Sequence, residues 1–491
     1  MRLKSRDPVL KSRFGVLTED EISEISEASI RIISEIGLRV ASEEALGLLA
    51  KAGAKIDAKT GMARISAEVV EEAVESAPKR VTLCSRDRER DVKLYDRDKP
   101  ALTTDGIGTK LLDRKTNGHR RSNSKDLFRL ALLSDYLEEV DIFWPMVVAY
   151  DVPESEHTVK EYAISVLGTS KHIQHEANGK LEANYEIEIA RTLAGGKEEL
   201  RKRPLFSTVQ CSISPLMIEK ESAEAIIEFS RAGVPIAGMS IAQMGLTAPA
   251  TIAAALTLAN AEILGTLVLN QASAKGAPFI YAISSAPVDV HRGGGFLMGS
   301  PELSLISAAG AQMAKSYGLP SLVAGMTTDA RYQSQQTSFE KLLTGIIPAL
   351  AGATIVSGIG GLDSNNVISP EQMVIDGDIW TSILKMIGGV EIDRKKMQID
   401  VIKKMGADAN YAGDMDMLKV FDREVWLPRL PMRQSHASWK ASGSRTIEDM
   451  AGEVVREALE NHKPLALERE VERDIMLIYK RYQKELQGER L

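Results

Sequence analysis

"PFIYAISSAPVDVHRGGGFLMGSPELSLISAAGAQMAKSYGLPSLVAGM", Pro278 to Met326, runs from one short apolar stretch through a helical one to a second short apolar stretch. The outer runs have the length of buried strands, and the text between them turns helical at Ser300-Pro301-Glu302. There the serine stands where its hydroxyl can cap a helix. The proline occupies the first helical position, where its missing N–H costs nothing. Strand, helix and strand in that order predict two parallel strands joined by a crossover.

The same wording extends in both directions. Ser214-Pro215 and Ser369-Pro370-Glu371 repeat the join. Further apolar runs are "DIFWPMVVAY", "KHIQHEA", "PLFSTVQCS", "VPIAGMS" and "ATIVSGIGG". Helical patterns separate them, at 157–168, 181–193, 216–231, 250–272, 301–316, 336–351 and 370–387. Seven such units predict an α/β fold, a (β/α)8 TIM barrel whose eighth strand the pattern does not place. An open doubly wound sheet is the alternative. The expected organisation is an N-terminal helical and β extension over 1–135, a barrel over 136–390 and C-terminal helices over 391–491. The extension opens on the capping box Thr18-x-x-Glu21 and changes near Val81 to β-like runs, among them "TTDGIGTKLLD". The C-terminal helices are amphipathic and suit packing on the barrel or on a second subunit, so a homo-oligomer is expected.

Composition narrows the function. With 61 basic and 68 acidic side chains and no strongly basic block, nothing points to nucleic acid. The two cysteines, Cys84 and Cys211, are too far apart and too few to be read as a disulfide framework or a zinc knuckle, and they suggest a reducing, cytoplasmic setting. The basic start "MRLKSRDPVLKSRFG" lacks the apolar core of a signal peptide. Ala248 to Leu269 is apolar enough to suggest a membrane span, but it is rich in alanine and carries Asn260 and Glu262, so it reads as a buried helix.

In a barrel of this kind the reactive groups come from the C-terminal ends of the strands and the loops that follow. In "LFSTVQCS" the alternation is read as turning Gln210 toward the barrel mouth and Cys211 into the core. In "HIQHE" the odd spacing parts His172 from His175, while His172, Gln174 and Glu176 share a face, which disfavours a metal pair. Past the run at 278–285 come Asp289, His291 and Arg292 and then three glycines that lack any phosphate-loop spacing. Trp144, Tyr150, Tyr281, Phe296 and Tyr332 lie at or beyond strand ends, where ring faces attract alkylammonium groups. "GMTTDARYQSQQTSFE", Gly325 to Glu340, crowds polar residues onto another strand end.

"RRSNSKDL", "TSKH", "MGLTAPATIAAALTLANAEILG", "GSPELSLISAAGAQMAKSYGLPS", "MTTDARYQSQQTSFEK" and "LPRLPMRQSHASWKASG", in this order, resemble the trimethylamine methyltransferase (MttB) superfamily from about residue 18 to 465. The resemblance implies a (β/α)8 barrel that passes a methyl group from a methylamine to the Co(I) of a corrinoid, a cobalamin-type cofactor carried by a separate partner protein. Founding members carry pyrrolysine in a loop that aligns within "TTDAR", near Arg331. Ordinary residues stand there in this chain, so it resembles the non-pyrrolysine branch, whose activities include glycine betaine demethylation. The resemblance makes Asp329, Arg331 and Gln335 catalytic candidates. Trp144, His172, Glu176, Gln210, Tyr281, His291, Arg292, Phe296 and Tyr332 become substrate-binding ones. Of these, Asp329, Glu176 and the aromatics suit a cation, and His291, Arg292, Arg331 and Gln335 suit a carboxylate. No tightly bound metal is expected. The competing readings are a methyltransferase for another methylamine, a metal-assisted hydrolase or lyase built on Asp289, His291 and Glu176, and a betaine-binding protein without turnover.

Overall fold

The computed structural model describes residues 14–488 apart from 98, 107, 115, 408–409, 412–414 and 431–432. Eight parallel strands close into a barrel: β1 (Ala101–Thr103), β2 (Ile142–Phe143), β3 (His172–His175), β4 (Phe206–Cys211), β5 (Ile236–Ser240), β6 (Phe279–Ile283), β7 (Ser321–Ala324) and β8 (Ile355–Ser357). Each pairs with the next, and β8 returns to β1 with Ser357 opposite Thr103. Eight helices follow the strands in turn: α1 (Ser124–Tyr136), α2 (His157–Gly168), α3 (Lys180–Ala194), α4 (Lys220–Ala232), α5 (Ile252–Ser273), α6 (Pro301–Ser316), α7 (Gln335–Ala351) and α8 (Pro370–Gly388). The seven runs and seven helical patterns of the sequence are β2 to β8 and α2 to α8. Ser300 and Ser369 do cap their helices, accepting the amides of Leu303 at 3.3 Å and Gln372 at 3.2 Å.

Two expectations need correction. The missing strand is the first in the chain, since β1 lies within 1–135 and α1 starts there, at Ser124, so the barrel begins well before residue 136. β1 is only three residues long, and a hairpin (Lys110–Asp113 with Gly118–Arg121) parts it from its helix, which hides the repeat. Ser214-Pro215 is not a helix start either. Its bond is cis, and α4 begins at Lys220. Buried Glu262 of α5 accepts both the Ser214 hydroxyl (2.8 Å) and the Leu216 amide (2.9 Å), holding the segment on α5.

Alternate residues of the strands fill the barrel: Ala101, Ile142, Val209, Ala237, Met239, Ile280, Ala282, Leu322 and Ile355 form one apolar cluster with Trp144. Val81, Leu83, Val92 and Leu94 join it from a small hairpin that plugs the N-terminal end. The opposite faces of the strands pack against the helices. α5, long and apolar enough to cross a membrane, is mostly buried in the protein, with Asn260 and Glu262 fully enclosed. The C-terminal helices Ile447–Asn461 and Arg469–Leu486 pack on the barrel helices, the second through Tyr482 to the Ser155 carbonyl (2.7 Å) and Glu485 to the Tyr185 hydroxyl (2.6 Å).

Candidate active site

With its floor plugged, the barrel opens at the C-terminal ends of its strands. β1 runs on into Thr104, Asp105 and Gly106. The Thr104 hydroxyl accepts the Trp144 amide and donates to the Trp144 carbonyl, both at 2.6 Å, which ties the ends of β1 and β2 together. Gly106 is required here, because a Cβ would fall 2.0 Å from the Trp144 indole nitrogen. Asp105 is buried, and its carboxylate accepts the Gly106 amide (2.8 Å) and the Asn365 carboxamide (2.7 Å), with no basic side chain in direct contact among the described residues. Burial pushes its pKa up to about 6. Glu176, just past β3, is driven to about 7, first by burial and then by repulsion from Asp105 and Glu161. Cys211, the last residue of β4, lies between the same groups, since burial and the Glu176 and Asp105 carboxylates all raise its thiol. Below them, Gln174 and Thr103 point inward fully buried, and both polar atoms of the Gln174 carboxamide and the Thr103 hydroxyl find no partner among the described residues. Buried polar groups are rarely left so, and these atoms are available to a polar ligand or water.

Of the sequence candidates, Trp144 and Glu176 belong to this mouth. Three others face elsewhere. His172 lies at the opposite end of β3, where its ring nitrogens meet the Cys84 carbonyl (2.8 Å) and the Ser207 hydroxyl (3.0 Å). Burial lowers its pKa to about 4, so it is a neutral core histidine. Gln210 and Cys211 are exchanged relative to the expectation. Gln210 faces the helices, donating to the Ala177 carbonyl (3.3 Å) and accepting from Ser222 (3.2 Å), and Cys211 faces the mouth. Both faces of a barrel strand are buried, so apolar alternation alone cannot tell inside from outside. Tyr281 likewise points outward, with its hydroxyl on Asn260 of α5 at 3.1 Å.

The remaining candidates sit on the loops around the rim. Asp329 is half-buried, and its carboxylate accepts the Gly299 amide (3.0 Å) and the Ser364 hydroxyl (2.9 Å), so it joins the loops after β6, β7 and β8. Burial, with Glu340 nearby, raises its pKa. The neighbouring Thr328 hydroxyl and Asp329 amide both bind Glu340. Arg331 is exposed, 3.6 Å from Asp363, while its carbonyl meets the His119 ring at 3.1 Å. Tyr332 and Gln335 are exposed too. Phe296 is half-buried against Ala286, Met298, Leu303 and Ala324 beside the ends of β6 and β7. His291 and Arg292 are exposed on a turn whose backbone amides are held by Asp289. Among the described residues no three His, Cys, Asp or Glu are grouped to hold a metal ion, so Asp289, His291 and Glu176 do not form such a site. Asp105 was the residue missed. A signal for it exists, because Thr103-Thr104-Asp105 repeats the Thr327-Thr328-Asp329 that follows β7.

The family model for trimethylamine methyltransferase (MTTB) matches residues 4–486. The chain belongs to that family. It is 32% identical over 480 residues to a trimethylamine methyltransferase MttB of Methanosarcina barkeri, covering 96% of each chain. It is 32% identical to another of that name from Desulfitobacterium hafniense, over 85% of this chain and 84% of the relative. A glycine betaine methyltransferase of Desulfitobacterium hafniense is 28% identical over 94% of this chain and 96% of its own. The monomethylamine methyltransferase of Methanosarcina barkeri superposes with a TM-score of 0.51 at 11% identity, covering 98% of this chain and 90% of that one, which supports the barrel fold alone. The chain is therefore a methyltransferase of the methylamine and betaine family.

Proposed function

We propose that this enzyme moves a methyl group from a quaternary ammonium, a betaine such as glycine betaine being the leading class, to the Co(I) of a corrinoid held by a separate protein. The observation that carries the reading is the pair of inward carboxylates, Asp105 and Glu176, beside the Trp144 indole at the barrel mouth. A permanent cation satisfies both carboxylates in a low-dielectric space, and an indole face adds to the attraction. The relatives named for trimethylamine and for glycine betaine bracket the substrate class.

The chemistry favours a quaternary nitrogen. Its charge already makes the amine a leaving group, and departure gives a neutral tertiary amine without a proton donor. The chain has only ordinary amino acids with which to assist. The corrinoid, as methyl acceptor, supplies the nucleophile. The protein's part is to hold the ammonium on Asp105 and Glu176, to exclude water with the rim loops, and to aim one N–CH₃ bond out of the mouth, an alignment worth several kcal/mol of barrel-imposed order, roughly 7 or more in favourable cases. His291, Arg292, Arg331 and Gln335, on the rim, are the groups available to a substrate carboxylate.

The test is to mix the pure protein with a Co(I) corrinoid and glycine betaine, carnitine, choline or trimethylamine and follow the cobalt spectrum. Methyl-Co(III) from a quaternary amine and none from trimethylamine is the expected result. Transfer from trimethylamine alone would sink the quaternary reading, and binding without any transfer would support a betaine-binding protein instead.

A further inference from the structure

Behind the mouth lies a buried ion pair that the proposed chemistry does not use. Lys341 of α7 and Asp376 of α8 are fully enclosed and 2.8 Å apart. The lysine spends its other two protons on main-chain carbonyls, Met326 just past β7 (2.6 Å) and Gly358 just past β8 (3.2 Å). Asp376 also accepts the Gly360 amide (2.7 Å) and the Gln372 carboxamide (2.7 Å). The pair therefore pins two adjacent turns in unusual backbone. Met326 has φ 48° and Gly358 φ 117°, and the turns touch so closely that a Cβ on Gly358 would lie 2.1 Å from the Gly325 carbonyl.

The second turn leads directly to the hairpin that carries Asn365. That side chain is fully buried and donates to Asp105 at 2.7 Å. The chain of contacts thus runs from Lys341 and Asp376 through Gly358 and Gly360 to Asn365 and Asp105. An apolar pair of similar volume would pack at least as well as a buried ion pair and often stabilises more, so burial of charge here calls for a reason beyond stability. The geometry offers one: the pair holds the turn that carries Asn365 to Asp105, and Lys341 lies near enough for its charge to help the Gly106 and Asn365 hydrogen bonds favour ionised Asp105.

We propose that Lys341, paired with Asp376, is a positioning residue that fixes the Asn365–Asp105 contact and keeps Asp105 ready to receive the substrate cation. The inference rests on the reading of the mouth as a cation site. Among the described residues, the groups that titrate or carry charge around Asp105 include Glu176 just past β3, Cys211 from β4, and Lys341 from α7 with its partner Asp376 from α8.

The experiment is calorimetric titration of the full chain with tetramethylammonium across a pH series, for the wild type, the double variant Lys341→Met with Asp376→Leu, and Asn365→Leu. Asn365→Leu leaves the ion pair in place and cuts only its link to Asp105, so the series stands even if the double variant does not fold. The expected result is that cation binding fails at higher pH in the variants than in the wild type, the midpoint rising by about one unit as a nearby positive charge or hydrogen bond is lost. Variants that fold and bind with the wild-type pH profile would overturn the proposal. A wild type that binds no tetramethylammonium at any pH would overturn the cation-site reading and the inference with it.

Discussion

If Asp105 and Glu176 receive the substrate cation, as proposed, pH should show it. Both carboxyls titrate above their ordinary range, at about 6 and about 7. Above roughly pH 7.5 both are ionised, and as pH falls through these values each takes up a proton and loses its attraction for a cation. Substrate affinity at pH 8 should therefore exceed that at pH 5 by at least about tenfold, measured by calorimetry with glycine betaine. His172 works in the opposite sense and on stability. Its folded pKa, about 4, lies below the unfolded value near 6.5, so the unfolded chain binds a proton that the native one refuses. Stability should fall by about 3 kcal/mol between pH 6.5 and pH 4 from this group alone, and denaturant melts of His172→Asn should lack that part of the loss. At this scale the sequence was legible where a residue follows a strand end, as for Trp144 and Glu176. It was not legible for Gln210 and Cys211, where both faces of the strand are buried.

The loops carry a different kind of prediction. Asp329 bonds Gly299 and Ser364 on neighbouring loops, so Asp329→Ala should cost about 1–3 kcal/mol of stability by leaving a buried amide unpaired, and it should weaken methyl transfer through the loosened rim. Arg331 is exposed, and its ion pair with Asp363 is long. Arg331→Ala should leave the melting temperature within error, since exposed pairs contribute about 0–1 kcal/mol. A selective rise in KM for betaine over choline in that variant would assign it to the substrate carboxylate, and unchanged values for both would remove it from the site. The capped helices were readable because Ser-Pro-Glu states its geometry locally. β1 was not, because three residues with a polar end give no period to count, and their membership of the barrel is decided by pairing with β8 and β2, far away in the chain.

At the scale of the whole molecule, the first strand decides where the domain starts. A chain limited to residues 136–390 lacks β1 and leaves β8 and β2 with open edges, so it should be insoluble or lack a cooperative melt, while the full chain unfolds cooperatively. The same closure brings Asp105, from the stretch read as an extension, near enough to Glu176, just past β3, for the two charges to repel. No local pattern announces that meeting, although the barrel reading of the sequence directed the search to the C-terminal ends of the strands, where both carboxylates lie. Whether the pair is the heart of the enzyme is a question of rate. The initial rate of methyl transfer from glycine betaine to a Co(I) corrinoid, compared between the wild type, Asp105→Asn and Glu176→Gln at pH 8, tests it most directly. The account predicts transfer by the wild type and a fall in kcat/KM of about 100-fold or more in each variant, with melting temperatures preserved. Folded variants that transfer at the wild-type rate would contradict it.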